Sequence, residues 1–209
     1  MEQTPRANRI HIGIYGRCNS GKSSLINAIT GQQTAVVSEV AGTTTDTVNK
    51  SMELPGVGAV TFIDTAGFDD TGELGAKRLE QTRKAADRTD VAVIVHAGGE
   101  PSAEREWIGL FGERNIPVVL VLNKADLLND EAAAVSALRA ETGINPIAMS
   151  ALTGKGIGEL IAAIAEAGRG ATDEVSITGN LAGPGDVVML VMPQDAQAPK
   201  GRLILPQVQ

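Results

Sequence analysis

Eight residues, Gly16-Arg17-Cys18-Asn19-Ser20-Gly21-Lys22-Ser23, constrain this chain more than any other stretch. They follow an apolar run from Ile10 to Tyr15 and open a helical pattern through Leu25, Ile26 and Ile29. Strand, glycine-bounded loop and helix in that order make the two glycines and the Lys-Ser pair a loop built to wrap phosphate. Gly16 and Gly21 let the backbone turn tightly, so successive N–H groups converge on an anion at a helix N-terminus, where the helix dipole also favours negative charge. Lys22 supplies a point charge to the β and γ phosphates, and the Ser23 hydroxyl stands where it can ligate Mg2+. The run from Asn19 to Ser24 is therefore the expected phosphate contact.

The chain has 209 residues, enough for one well-cored α/β domain with a remainder. It is 43% apolar and 21% charged, with no apolar run near the roughly eighteen residues a membrane span needs. Residues 1–8 are polar with no apolar stretch behind them, which reads as a flexible lead-in rather than a targeting signal and points to the cytoplasm. A net charge of −7 argues against a bulk nucleic-acid binder, because neutralising phosphates needs a face rich in lysine and arginine. Cys18 is the only cysteine, so the chain can build neither a disulfide framework nor a self-contained zinc or iron-sulfur site. Beside Lys22 at a helix N-terminus its thiol could be redox-sensitive, although a small loop residue without chemistry is the simpler reading.

Beyond the first helix, expected over 22–30 with Gly31 capping it, residues 32–47 lack a helical period and carry Gly42-Thr43-Thr44-Thr45-Asp46. Behind a phosphate loop this is where a nucleotide-sensing switch sits, with a threonine hydroxyl joining Ser23 on Mg2+ when a γ phosphate is present. Pro55-Gly56-Val57-Gly58 separates two strand patterns and predicts a hairpin, hence one antiparallel strand on an otherwise parallel sheet. Its second arm ends in Asp64-Thr65-Ala66-Gly67. Asp64 is placed to reach Mg2+ through water, and Gly67 to offer its N–H to the γ phosphate. Phe68 follows, and a phenylalanine cannot orient an attacking water. Asp69, Asp70 and Glu73 are either water-positioning carboxylates or first-turn charges of the next helix, expected over 72–87.

Val91 to Val95 reads as a strand buried on both faces, with His96 in the loop beyond it and Trp107 packing from the helix after Pro101. Of the two histidines, His11 in the first strand reads as structural. The strand Ile116 to Leu122 delivers Asn123-Lys124-Ala125-Asp126. A carboxylate at Asp126 can accept from both N1–H and the N2 amine of guanine, whereas adenine would set a lone pair against it. Lys124 can lay its stem along the base, and Asn123 can bridge neighbouring loops. A helix over 130–141 and a strand over 146–149 lead to Ser150-Ala151-Leu152, where a backbone N–H can read guanine O6. The last helix is expected over 156–167. The architecture implied is α/β: a six-stranded, mostly parallel sheet with one antiparallel strand and helices on both faces.

Together these motifs, in this order and spacing, resemble the P-loop GTPase domains of the TrmE, Era and EngA group, over residues 9–167. The resemblance implies GTP and GDP as ligands, hydrolysis to GDP and phosphate, and slow Mg2+-dependent turnover stimulated by K+. On that analogy Asn19 helps hold K+ beside the transferring phosphate and Thr44 is the switch threonine. Lys22, Asn19, Thr44, Gly67 and Glu73 form the implied catalytic set, Glu73 by looser register, while Ser23, Thr44 and Asp64 hold Mg2+. A binding switch acting on tRNA or ribosomes is the alternative within the group.

Thr4-Pro5-Arg6, the switch threonines and Ala198 to Gln207 are similar more narrowly to the HydF family, GTPases involved in maturing FeFe hydrogenase. In that family a dimerisation domain and an iron-sulfur domain ligated by cysteine and histidine follow the GTPase. The resemblance implies a domain of an H-cluster assembly scaffold or carrier, homodimeric at full length, with hydrogenase-maturation proteins and the hydrogenase as partners. No nucleic acid or membrane partner is expected, and no cluster ligands in this chain. Residues 168–185 are glycine-rich and read as a linker, and 186–209 as the start of a truncated dimerisation-type domain whose strand Val187 to Met192 seeks a partner sheet.

Overall fold

The computed structural model describes residues 9–32, 38–40, 49–68 and 73–172. The chain divides into two units, Met1–Asp173 and Glu174–Gln209, and every described residue lies in the first. The lead-in, the switch loop with Thr44, Asp69, Asp70 and the tail lie outside the described residues, so the expectations for them are not addressed by it.

The elements run β1 (Ile10–Gly16), α1 (Lys22–Gln32), β2 (Ser38–Val40), β3 (Asn49–Leu54), β4 (Gly58–Asp64), α2 (Glu73–Ala86), β5 (Val91–His96) and α3 (Ser102–Glu113). There follow β6 (Val118–Leu122), a 3-10 turn (Ala125–Leu127), α4 (Glu131–Thr142), β7 (Ile147–Ala148) and α5 (Ile157–Thr172). The strands form one sheet in the order β2-β3-β4-β1-β5-β6-β7. Neighbours are parallel from β4 through β1 to β7, while β3 runs against both β2 and β4. The hairpin turn that reverses the chain before β4 has positive φ at Gly56 (79°) and Gly58 (91°), the conformation that favours glycine there.

Period-two alternation sorts the core into two layers. Ile12 and Ile14 of β1, Val91, Val93 and Val95 of β5, and Val119 and Val121 of β6 pack with Leu25, Ile26 and Ile29 of α1 and Ile157, Leu160 and Ile164 of α5. On the opposite face Tyr15, Ala92, Ile94, Leu120 and Leu122 meet Ala86 of α2, Trp107 and Phe111 of α3 and Leu138 of α4. Burying each large aliphatic side chain contributes about 1.5–3 kcal/mol, so the central strands hold both helix layers.

Several boundaries differ from the sequence reading. The sheet has seven strands rather than six because Ser38–Val40 pairs with Asn49 to Ser51. Helix α1 runs through Gly31 to Gln32, so Gly31 lies in the last turn and does not cap it. Helix α5 continues to Thr172, and the first residues of the expected linker are helical. Gly168 explains this locally: a Cβ there would stand 3.2 Å from Ile10 Cδ1, so its small size lets the last turns of α5 lie against β1. His96 is the final residue of β5, paired with Leu122 and buried, not a loop residue. His11 donates its backbone N–H to Asp90 Oδ2 at 2.7 Å and ties the amino-terminal end of β1 to the loop before β5.

Candidate functional site

The phosphate loop closes on its own lysine. Lys22 is buried, and its Nζ donates to the Gly16 carbonyl at 3.0 Å and the Arg17 carbonyl at 2.8 Å. Ser20 N–H donates to Arg17 O at 3.2 Å, and Leu25 N–H to Gly21 O at 2.8 Å, which starts α1 immediately behind the loop. Asn19 at the loop apex is exposed and left-handed (φ 58°), and Ser24 is exposed on the first helical turn.

The register of the central strands brings the second segment in. Ile14 pairs with Asp64, so the end of β4 lies beside the end of β1. There Ser23 Oγ donates to Asp64 Oδ2 at 2.7 Å. Thr65 Oγ1 donates to Ile14 O at 2.6 Å and Phe68 N–H to Gly16 O at 3.4 Å, tying the Asp-Thr-Ala-Gly turn to the phosphate loop. Gly67 is buried in that turn. The Phe68 ring lies stacked on Trp107 of α3, with centroids 5.8 Å apart and planes at 15°. Glu73 opens α2; its side chain, like Thr44, lies outside what is described.

The third and fourth segments meet through Asn123. Its backbone N–H donates to His96 O at 2.8 Å, its Nδ2 donates to Ser20 O at 2.8 Å, and its Oδ1 accepts from Ala151 N–H at 3.1 Å. One buried amide thus joins the phosphate loop to both loops that carry Asp126 and Ser150. Lys124 is left-handed (φ 61°), and Ala125 N–H donates to Met149 O at 2.9 Å, which fixes the short turn from which the exposed Asp126 projects. Ser150 is buried and its Oγ accepts from Thr153 N–H at 3.2 Å, while Leu152 beside it is exposed.

These residues fit the ligands the sequence implies. A Cβ on Gly21, whose φ is 95°, would run into the Asn123 amide, so the cradle leaves no room for a side chain there. The adjoining hydroxyl and carboxylate of Ser23 and Asp64 are oxygen donors of the kind Mg2+ takes together with phosphate oxygens and water. Among the described residues no trio of histidine, cysteine, aspartate or glutamate is arranged to hold a metal.

Sequence reasoning missed a buried polar group behind the loop. His96 Nδ1 lies 2.9 Å from Glu104 Oε1, and Glu104 Oε2 lies 3.6 Å from Arg17 Nε. Arg17 also donates to Glu100 O at 2.7 Å and to Ser102 Oγ at 3.4 Å. Only a polar residue on an otherwise core-facing helix position could have signalled it. Next to Gly16, Tyr15 is buried and its hydroxyl meets Thr89 Oγ1 at 2.6 Å. Burial pushes its phenol up to about 12, with the Thr89 hydrogen bond acting in the opposite sense.

Comparison with known proteins places this geometry. Residues 11–124 match the profile described as 50S ribosome-binding GTPase, and residues 177–209 match that described as Hydrogen maturase F dimerization domain. The tRNA modification GTPase MnmE of Xanthomonas oryzae pv. oryzae is 36% identical over 152 residues, covering 72% of this chain and 32% of that protein. GTPase Der of Wolinella succinogenes is 40% identical over 136 residues, covering 63% and 28% respectively. Era of Aquifex aeolicus, solved bound to GDP.AlF4-, superposes with a TM-score of 0.62 at 25% identity, covering 75% of this chain and 56% of that one. The chain therefore spans about a third of the length of the curated relatives it matches.

Proposed function

This chain belongs to the 50S ribosome-binding GTPase family, and from that premise we propose that it binds GTP and hydrolyses it to GDP and phosphate as the GTPase domain of a FeFe-hydrogenase maturation factor. The observation that carries the nucleotide half is the Asn123 amide bound at once to Ser20 and Ala151, since it makes one site of the phosphate and base loops. Lys22 exchanges the Gly16 and Arg17 carbonyls for phosphate oxygens, Asp126 accepts from guanine, and a backbone N–H of the 150–152 loop meets O6. Ser23, Asp64 and Thr44 would hold Mg2+, which when bound would supply charge neutralisation for the phosphates. Asn19 would hold K+, which would take the part of an arginine finger, while Phe68 stands where a water-orienting glutamine would otherwise be. Gly67 offers its N–H to the γ phosphate, and Glu73 is the candidate for positioning water.

Binding calorimetry with GDP, ADP and XDP tests this reading. Wild type should prefer GDP over ADP by about 10,000-fold, because a mismatched base leaves the Asp126 carboxylate unpaired. Asp126→Asn should move the preference to XDP; an unchanged GDP preference would remove Asp126 from base reading.

The maturation half rests on the match over residues 177–209. It supports a dimerisation segment behind the GTPase domain and linker; homodimerisation, hydrogenase-maturation partners and a cytoplasmic site of action are proposed with it. Apo-hydrogenase activation by the intact protein should fall when Lys22→Ala is introduced; activation equal to wild type would separate GTP from maturation. A switch serving tRNA or ribosomes is the second reading, favoured by the similarity to MnmE and Der over the GTPase region. The dimerisation match weighs against it.

A further inference from the structure

Glu104 occupies a costly position. Its side chain is 1% exposed, on the first turn of α3, in a fold where an ionised carboxylate loses several kcal/mol of hydration unless it is paired. One oxygen, Oε1, is engaged by His96 Nδ1 at 2.9 Å. Toward an ionised carboxylate, which can only accept, the donor of this contact is the ring N–H. Among the described residues the other oxygen, Oε2, has no hydrogen-bond partner, and neither does the buried Arg17 Nε that faces it at 3.6 Å. The two are close enough to attract and too far apart to bond fully.

Arg17 is a phosphate-loop residue whose side chain turns away from the loop toward α3. Its guanidinium is tied to Glu100 O and Ser102 Oγ and attracted by Glu104, while its backbone carbonyl accepts from Lys22 Nζ at 2.8 Å. The backbone group that holds the lysine and the side chain that α3 holds therefore belong to the same residue. His96, in turn, presents its carbonyl to the Asn123 N–H at 2.8 Å, so the segment that orients the carboxylate also supports the base-reading strand end.

We propose that Glu104 is a positioning residue for Lys22, acting through Arg17, with His96 fixing its carboxylate. Helix α3 and the phosphate loop are coupled through this buried link, and the lysine reaches phosphate from a loop whose second residue is anchored. The long Glu104–Arg17 separation leaves room for the link to tighten when Lys22 leaves the Arg17 carbonyl for a ligand. The inference rests on the proposed guanine-nucleotide site but does not depend on the partner or the cation.

The test is a double-mutant cycle of Arg17→Gln and Glu104→Gln, with GDP dissociation followed using a fluorescent GDP, and with kcat and KM for GTP. Each single variant should speed GDP release about tenfold and lower kcat, as expected when a charge-assisted buried contact is neutralised. The double variant should be no worse than Arg17→Gln alone, which also gives up the Glu100 and Ser102 contacts. The GDP-to-XDP preference, which reads Asp126, should not move. Additive effects, or wild-type release rates in folded Glu104→Gln, would overturn the proposal. Should Glu104→Gln fail to fold, Arg17→Gln cuts the same link from the partly exposed side, and wild-type kinetics there would overturn it equally. Wild-type protein unable to bind GDP at all would sink the underlying nucleotide reading and this proposal with it.

Discussion

Asn123 Nδ2 donates to the Ser20 carbonyl at 2.8 Å, joining positions 103 residues apart in the chain. The same amide accepts from Ala151 N–H at 3.1 Å, so its removal strands two backbone groups at once. Asn123→Ala should lower GDP affinity about a hundredfold, because an unsatisfied buried group costs about 1–3 kcal/mol. Calorimetry would show it, and affinity within a few-fold of wild type would mean that the loops hold their positions without the bridge.

Gly21 tests the same corner from the other side. Its φ of 95° disfavours an L-residue, and a Cβ would strike the Asn123 amide. Gly21→Ala should lose about 1–3 kcal/mol of stability from backbone strain and at least about tenfold in GDP affinity. Urea unfolding and nucleotide titration measure the two separately. Unchanged affinity would show that the loop can move off Asn123 without consequence.

Phe68 and Trp107 supply an optical reporter. Trp107 is the chain's only tryptophan, and Phe68, one residue beyond Gly67, is stacked on it. Engagement of Gly67 by a γ phosphate is expected to reach the adjoining ring, so Trp107 emission should differ between GDP and a non-hydrolysable GTP analogue. Phe68→Ala should abolish the difference. Identical wild-type spectra in both states would show that Phe68 keeps its stack throughout.

Much of this architecture is legible in the chain because the physics is local. Val91 to Val95 could only be buried on both faces, and the sheet puts α1 and α5 against its valines and α3 against Ile94. The Pro-Gly turn before β4 set β3 antiparallel. By contrast β2 has three residues, too short for any periodicity to register, and its existence depends on the partner β3. Gly168 reads as a linker glycine until Ile10 of β1 packs against it. Asp126, Lys22 and Ser23 announce themselves by motif, whereas the His96–Glu104–Arg17 group is assembled across elements and no spacing encodes it.

Tyr15 gives a pH prediction. Burial holds its phenol up to about 12, so the folded state keeps a proton that the unfolded chain releases near 10. Its contribution is fully present below pH 10 and is lost as pH rises toward 12, on the order of 3 kcal/mol in total. Tyr15 is the only tyrosine, so ultraviolet titration reads it alone, and Tyr15→Phe should flatten this part of the alkaline stability loss. Ionisation near pH 10 in folded protein would contradict the buried placement.

The central claim is tested most directly by steady-state phosphate release from GTP in matched KCl and NaCl at constant ionic strength, with Asn19→Ala and Lys22→Ala alongside. Release should be several-fold faster in KCl, Asn19→Ala should lose that response, and Lys22→Ala should lose turnover in both salts, because it removes the positive charge that meets the β and γ phosphates. Turnover that is equally slow in both salts, or that survives Lys22→Ala, would contradict it.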